Sequence, residues 1–119
     1  MATGPVTGAD RGGPALLVDA PARRVYALGQ EVHLTRSEFD LLAELARRPG
    51  IPQSKDSLAR VLGAAPLGGD PGQSARRAIE VHLANLRRKL GDGRVHPIWI
   101  RTVRGRGYLL ERGVAELVE

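Results

Sequence analysis

An α+β fold is predicted for this chain of 119 residues, with three helices set between a small N-terminal antiparallel sheet and a C-terminal β-hairpin. Three observations predict it. Short runs alternating apolar and polar residues precede Thr35, where the pattern switches to helical spacing. The stretch SARRAIEVHLANLRRKL at residues 74–90 places Ile79, Leu83, Leu86 and Leu90 in one narrow sector of a helix. Two further alternating runs then flank the tetrapeptide RGRG, as a hairpin requires.

Residues 1–14 are rich in Gly, Pro, Ala and Thr without periodicity, and are expected to be a disordered tail or the stub of a linker. The folded domain is expected over residues 15–112. ALLVD, RRVYAL and EVHLT read as three short strands, separated by Ala20-Pro21-Ala22 and Gly29-Gln30. In the third, Val32 and Leu34 face one way and Glu31 and His33 the other. Thr35-Arg36-Ser37-Glu38 is a capping box, in which the Thr35 hydroxyl accepts from the Glu38 amide while the Glu38 carboxylate reaches back. Behind it Phe39, Leu42, Leu45 and Ala46 form a helical seam, with Leu41 beside it, that stops before Pro49-Gly50. Ser54 can cap a second helix carrying Leu58, Val61 and Leu62 and ending at Gly63. GAAPLGGDPGQ cannot be regular structure. For the third helix Ser74 is the expected cap, and Asp70 with Pro71 in the first turn is the alternative. Gly91-Asp92-Gly93 ends that helix. In PIWIRTV, Ile98, Ile100 and Thr102 alternate with Trp99, Arg101 and Val103, and Tyr108 and Leu110 resume the alternation beyond a four-residue RGRG turn. Residues 113–119 are expected to be a frayed end. This order of elements is that of a winged helix-turn-helix.

Composition narrows the function. The absence of cysteine excludes disulfides, zinc–cysteine sites and thiol catalysis. His33, His82 and His96 fall on three different elements, so no metal site is expected. Glu38 and Asp40 are the only close acidic pair, and capping and solvation account for them. No glycine-rich loop carries a following Lys-Ser or Lys-Thr, so no nucleotide site is expected either. Neither an enzyme nor a bound cofactor is expected. No apolar run approaches the roughly 20 residues that span a bilayer, and the N-terminus lacks a secretory core. A cytoplasmic protein with no membrane contact is the simplest reading. Aromatic residues make up only 3%, so the core must rest on Leu, Val, Ile and Ala.

The formal charge is +5, and its distribution is more telling than its size. Residues 74–112 hold ten basic and three acidic side chains, whereas the rest of the chain holds eight and ten. The positive excess therefore belongs to the third helix and the hairpin, which points to a polyanionic partner. Opposite its leucine seam the helix carries Arg77, Val81, Ala84, Asn85 and Arg88. Small residues in the middle of that face let it lie close against a grooved partner, so the segment reads as a recognition helix for double-stranded DNA. In the major groove Asn85 can pair with the N6/N7 edge of adenine, and Arg88 or Arg77 with guanine O6/N7. Val81 and Ala78 can touch a thymine methyl. A slim tip bearing Arg104 and Arg106 suits a narrow minor groove, where negative potential is focused. Plain solvation explains the same arginines more simply, and a tight turn explains the same glycines. Arg76, Lys89, Arg94, Arg101, Thr102 and Arg112 are weaker candidates. Glu80 is expected to be structural, pairing with Arg76, Arg77 or Arg87.

From Leu17 to Leu110 the chain resembles the OmpR/PhoB-type winged-helix effector domain of bacterial response regulators. Four motifs carry the resemblance: EVHLTRSEFDLLAELARRPG, SKDSLARVLG, IEVHLANLRRKLGD and IRTVRGRGYLL. It implies transcription regulation within a two-component system, in the bacterial cytoplasm at the nucleoid. It implies binding to direct-repeat or paired sites, usually as a homodimer. It also implies that Arg77 contacts phosphate, that His82 and Arg87 touch the DNA backbone, and that Arg104 enters the minor groove. For His82 a satisfied boundary histidine is the equal alternative. In relatives the loop here at residues 64–72 can contact RNA polymerase, although this one is longer and richer in glycine. Ala84-Asn85 replace two larger, basic residues common in the family, and Leu62 a frequent tryptophan, so base preference does not carry over. No receiver domain is expected before Ala15. Two other readings keep the fold: a docking module for polymerase or a fused domain, and a nucleoid-type binder with little sequence choice.

Overall fold

The computed structural model describes residues 14–64, 69–91 and 99–119. Residues 1–13 of the expected 1–14 tail, the middle of the 64–72 loop, Asp92-Gly93, Arg94, His96 and Ile98 lie outside the described residues.

Strands β1 (Leu16–Asp19), β2 (Arg24–Ala27) and β3 (Gln30–Val32) form the expected antiparallel meander. Ala27 pairs with Gln30, so only Leu28 and Gly29 make the turn, both at positive φ (51° and 86°). That is the mirror-image turn whose twist matches the flanking strands. Leu16, Val18, Val25 and Ala27 point inward and are buried.

Helix α1 (Arg36–Arg47) begins on the expected capping box, with both reciprocal bonds present. Its buried side carries Phe39, Leu41, Leu42, Ala43 and Leu45. At the rim of that side the Arg23 guanidinium lies 4.6 Å from the Phe39 ring centre and donates to Asp40 at 2.8 Å. Helix α2 (Lys55–Val61) is capped by Ser54, whose hydroxyl accepts from the Ser57 amide. Helix α3 (Gln73–Leu90) runs for 18 residues, and its C-terminus closes on Gly91 in the left-handed region. Its start differs from expectation. Gly72 is the cap residue and no side chain caps the helix, so neither Ser74 nor Asp70 has that role. The Asp70 carboxylate instead accepts from the Gly72 amide at 3.0 Å, forming a local turn that aims the chain into the helix. That leaves Ser74 exposed within the first turn.

Beyond α3, β4 (Ile100–Val103) and β5 (Gly107–Leu110) pair antiparallel as the wing. The turn is one residue shorter than expected: Val103 pairs with Gly107, and Arg104, Gly105 and Arg106 form the tip. The α1–α2 connector runs alongside β5. Gln53 exchanges both backbone bonds with Tyr108 (2.8 and 2.9 Å), and Gly50 donates to the Leu110 carbonyl at 2.7 Å. The buried Gln53 side chain donates in turn to the Glu44 carbonyl of α1.

Residues 113–119 do not fray. Ala115–Val118 form a sixth strand, β6, parallel to β1, which gives a four-stranded sheet of order β3-β2-β1-β6. Val114 and Leu117 pack on the core, and Glu119 pairs with Arg47 at 3.4 Å. The expectation failed because a four-residue strand pairing with the far end of the chain leaves only a weak local pattern, here half-buried Ala115 and Leu117 alternating with exposed Glu116 and Val118. The helices and the inner face of this sheet enclose one core, from Leu16 to Leu110.

Candidate nucleic-acid interface

Helix α3 is seated by Ile79, Leu83, Leu86 and Leu90, none more than 5% exposed. Burial of this seam fixes the rotation of the helix, and with it the residues that face away. Arg77, Ala78, Val81, Ala84 and Arg88 are exposed, while His82 and Asn85 are half-buried. Val81 at 53% exposure is among the most exposed large apolar side chains of the protein. An apolar side chain held in water on a helix bordered by arginines fits a surface that closes on a partner. The Arg88 guanidinium donates to Asn85 Oδ1 at 3.2 Å, so these two side chains are already grouped.

The flanks of α3 are held by ion pairs. Glu80 pairs with Lys55 of α2, not with Arg76, Arg77 or Arg87 as expected from sequence. The lysine holds the Glu80 carboxyl below its usual range and masks an acid beside the basic face. Nothing local in the sequence marks Lys55 for this, because the two residues meet only when α2 packs on α3. Arg76 bridges Asp56 of α2 (3.0 Å) and Asp70 of the preceding loop (2.9 Å). Asp70 is held below its ordinary value by the Gly72 amide first and by Arg76 second. Lys89 reaches Glu38 of α1 at 2.7 Å. Arg87 turns away from the exposed face to the wing, donating to the Ile100 carbonyl (3.1 and 2.6 Å) and to Thr102 Oγ1 (3.0 Å). Arg101 pairs with Glu111 across the wing. Thus Arg76, Arg87, Lys89, Arg101 and Thr102 all have partners within the protein.

At the wing tip Arg104 and Arg106 are exposed, and the Arg106 amide donates to the Val103 carbonyl at 2.9 Å. Lys55, Arg76, Arg104 and Arg106 line an open cleft between the start of α2 and the tip, so the basic hairpin lies beside the α2–α3 unit. The structure therefore brings the exposed side of α3 and the arginine tip onto adjoining elements. Among the described residues no group of His, Asp and Glu could hold a metal ion, and no helix is long and apolar enough to cross a membrane.

Residues 29–110 match the family model described as "Transcriptional regulatory protein, C terminal". The transcriptional regulatory protein CpxR of Escherichia coli is 42% identical over 107 residues, covering 85% of this chain and 44% of that protein. The chain thus spans less than half the length of this curated relative. Among solved structures, the RstA DNA-binding domain of Klebsiella pneumoniae in complex with the RstA box is 35% identical, with a TM-score of 0.67, covering 82% of this chain and 91% of that one. The DNA-binding domain of E. coli CpxR is 39% identical, with a TM-score of 0.64, covering 82% and 90%.

Proposed function

Since the chain belongs to the family of transcriptional regulatory protein C-terminal domains, we propose that it binds double-stranded DNA with sequence preference, by the exposed side of α3 and the wing. The observation that carries this reading is the pairing of a leucine-seated helix, presenting Arg77, Val81, Ala84, Asn85 and Arg88, with an adjoining hairpin tipped by Arg104 and Arg106. A major groove admits one α-helix, and the slim tip suits the neighbouring minor groove. The solved RstA domain bound to its box supports the same use of this fold.

Within this reading Arg77 and the wing arginines supply phosphate and minor-groove contacts. Asn85 and Arg88 read base edges, while Val81, Ala78 and Ala84 form the close-packed floor. His82, half-buried at the edge of the helix, reaches the backbone. The protein acts as the effector part of a bacterial response regulator in the cytoplasm, without enzymatic activity of its own, and pairs with a second copy on paired half-sites. Polymerase contact through the 64–72 loop falls partly on residues outside those described.

The test is selection from a random duplex pool, followed by anisotropy titrations over a range of salt. Wild type should show a steep salt slope, since each neutralised phosphate releases counterions. Arg88→Ala or Asn85→Ala should relax preference at one position by roughly 1–3 kcal/mol, whereas Arg77→Ala should weaken all sequences alike and lower the slope by about one. Salt-insensitive binding, or none, would overturn the proposal.

A further inference from the structure

The DNA-binding reading leaves Arg87 without a clear place, because its side chain is engaged elsewhere. At 100° per residue it lies about 40° round the helix from the buried Leu83 and about 100° from the exposed Arg88. Its Nε and one terminal nitrogen converge on the Ile100 carbonyl, that same nitrogen also reaches Thr102 Oγ1, and the guanidinium carbon lies 5.7 Å from the Tyr108 ring centre. The residue thus grips β4 with three hydrogen bonds while facing an aromatic ring of β5. The planar fork of an arginine can do this; the point charge of a lysine cannot converge two donors on one carbonyl and stack as well. On the other side of the hairpin, β5 is joined to the α1–α2 connector through Gln53 and Tyr108. The wing is therefore fastened to the body through β5 and to the recognition helix through Arg87.

We infer that Arg87 is a positioning residue that sets the wing against α3, so that helix and tip engage one duplex together, and that it acts through geometry and not through its charge on a phosphate. This rests on the DNA-binding reading for its consequence, but the lock itself can be observed without DNA. Arg87→Lys keeps the positive charge and removes the fork. Thr102→Val removes one acceptor without touching charge, and serves if the lysine variant folds poorly.

Two measurements test it on the full chain. In the first, hydrogen exchange in the free protein should quicken at least tenfold at the wing amides from residue 100 to 103 in Arg87→Lys, with α1 amides unchanged; Thr102→Val should show a smaller change of the same sign. In the second, anisotropy with a selected duplex should show about a tenfold loss for Arg87→Lys. Arg104→Ala should weaken wild type severalfold yet add nothing to Arg87→Lys, because the tip is then no longer held in place. Wild-type exchange in the lysine variant overturns the lock. Wild-type affinity in that variant, or an undiminished Arg104→Ala effect within it, assigns Arg87 to a phosphate and overturns the inference too. Quickened wing exchange in a protein with no duplex affinity would keep the lock and remove only the DNA-binding reading.

Discussion

Replacing Gly107 by alanine should destabilise the protein by about 3–4 kcal/mol, enough to unfold much of the population of a marginally stable domain. Two causes add. Gly107 sits at φ +121°, a region that side chains rarely adopt, and a Cβ there would lie 1.9 Å from the Gln53 carbonyl oxygen and 2.9 Å from Ser54 Cα. Both neighbours are backbone. Moving them means parting β5 from the connector, which breaks the paired bonds between Gln53 and Tyr108 and pulls on the Gln53 side chain bonded to α1. Gly105→Ala is the control. It too has a positive φ, of 77°, but nothing lies within 4 Å of its Cβ position, so only the conformational cost of about 1 kcal/mol remains. Urea midpoints for both variants separate the causes, and equal losses would show that close approach contributes nothing. The consequence for function is direct, since the backbone at Gly107 is what brings the wing close to the start of α2.

The contrast between these two glycines shows what the sequence could and could not reveal. RGRG announced a turn because glycine and arginine report local backbone needs and exposure. It did not announce that the second glycine is needed for contact with a segment more than fifty residues away. The same division runs through the chain. The Thr35–Glu38 capping box, the Ser54 cap, the Gly91 stop and the leucine seam of α3 are interactions within a few residues, and each was readable. The rotation of α3 followed from its seam, and with it the exposure of Arg77, Val81, Ala84 and Arg88. What stayed hidden is what tertiary packing decides: the parallel β1–β6 pairing, the partner of Glu80, and the turning of Arg87 toward the wing. The candidate face was legible to the level of a helix side, and the division between residues that project outward and residues that hold the frame was not. Arg87 and Arg88 are neighbours of one type; the seam sets them on different sides of the helix, but only packing reveals that Arg87 is held by the wing.

Lys89→Met should cost about 3 kcal/mol at neutral pH, and that loss should shrink in acid. Glu38 is 2% exposed, so its carboxylate depends on the groups that reach it. Burial pushes this carboxyl up, but the hydrogen bonds from Lys89 and from the Thr35 amide, with the lysine's charge, outweigh burial and hold it below its ordinary value. A carboxyl lowered by folding adds stability that is fully present above its unfolded value of about 4.3 and is lost as pH falls through its folded value. Methionine fills the space of the lysine stem but leaves a buried carboxylate with one donor fewer. Breaking a buried pair in this way costs about 3–5 kcal/mol, and the lower figure applies because the lysine side chain keeps 30% of its exposure. With the lysine gone, burial drives the Glu38 carboxyl upward, so acid neutralises it early and relieves the penalty. The gap between wild type and variant should therefore begin to narrow while the pH is still above the ordinary carboxylate value of about 4.3, and keep narrowing as pH falls through the lowered wild-type value. Glu38→Gln should be milder, because glutamine keeps the reciprocal cap and the freed ammonium can turn to water. Urea titrations at pH 7 and at pH 3.5 settle the matter: a deficit that is the same at both would mean that Lys89 acts on α1 by packing alone. The pair ties the last turn of α3 to the first turn of α1, so its loss should also loosen the C-terminal end of α3, the turn that carries Arg88.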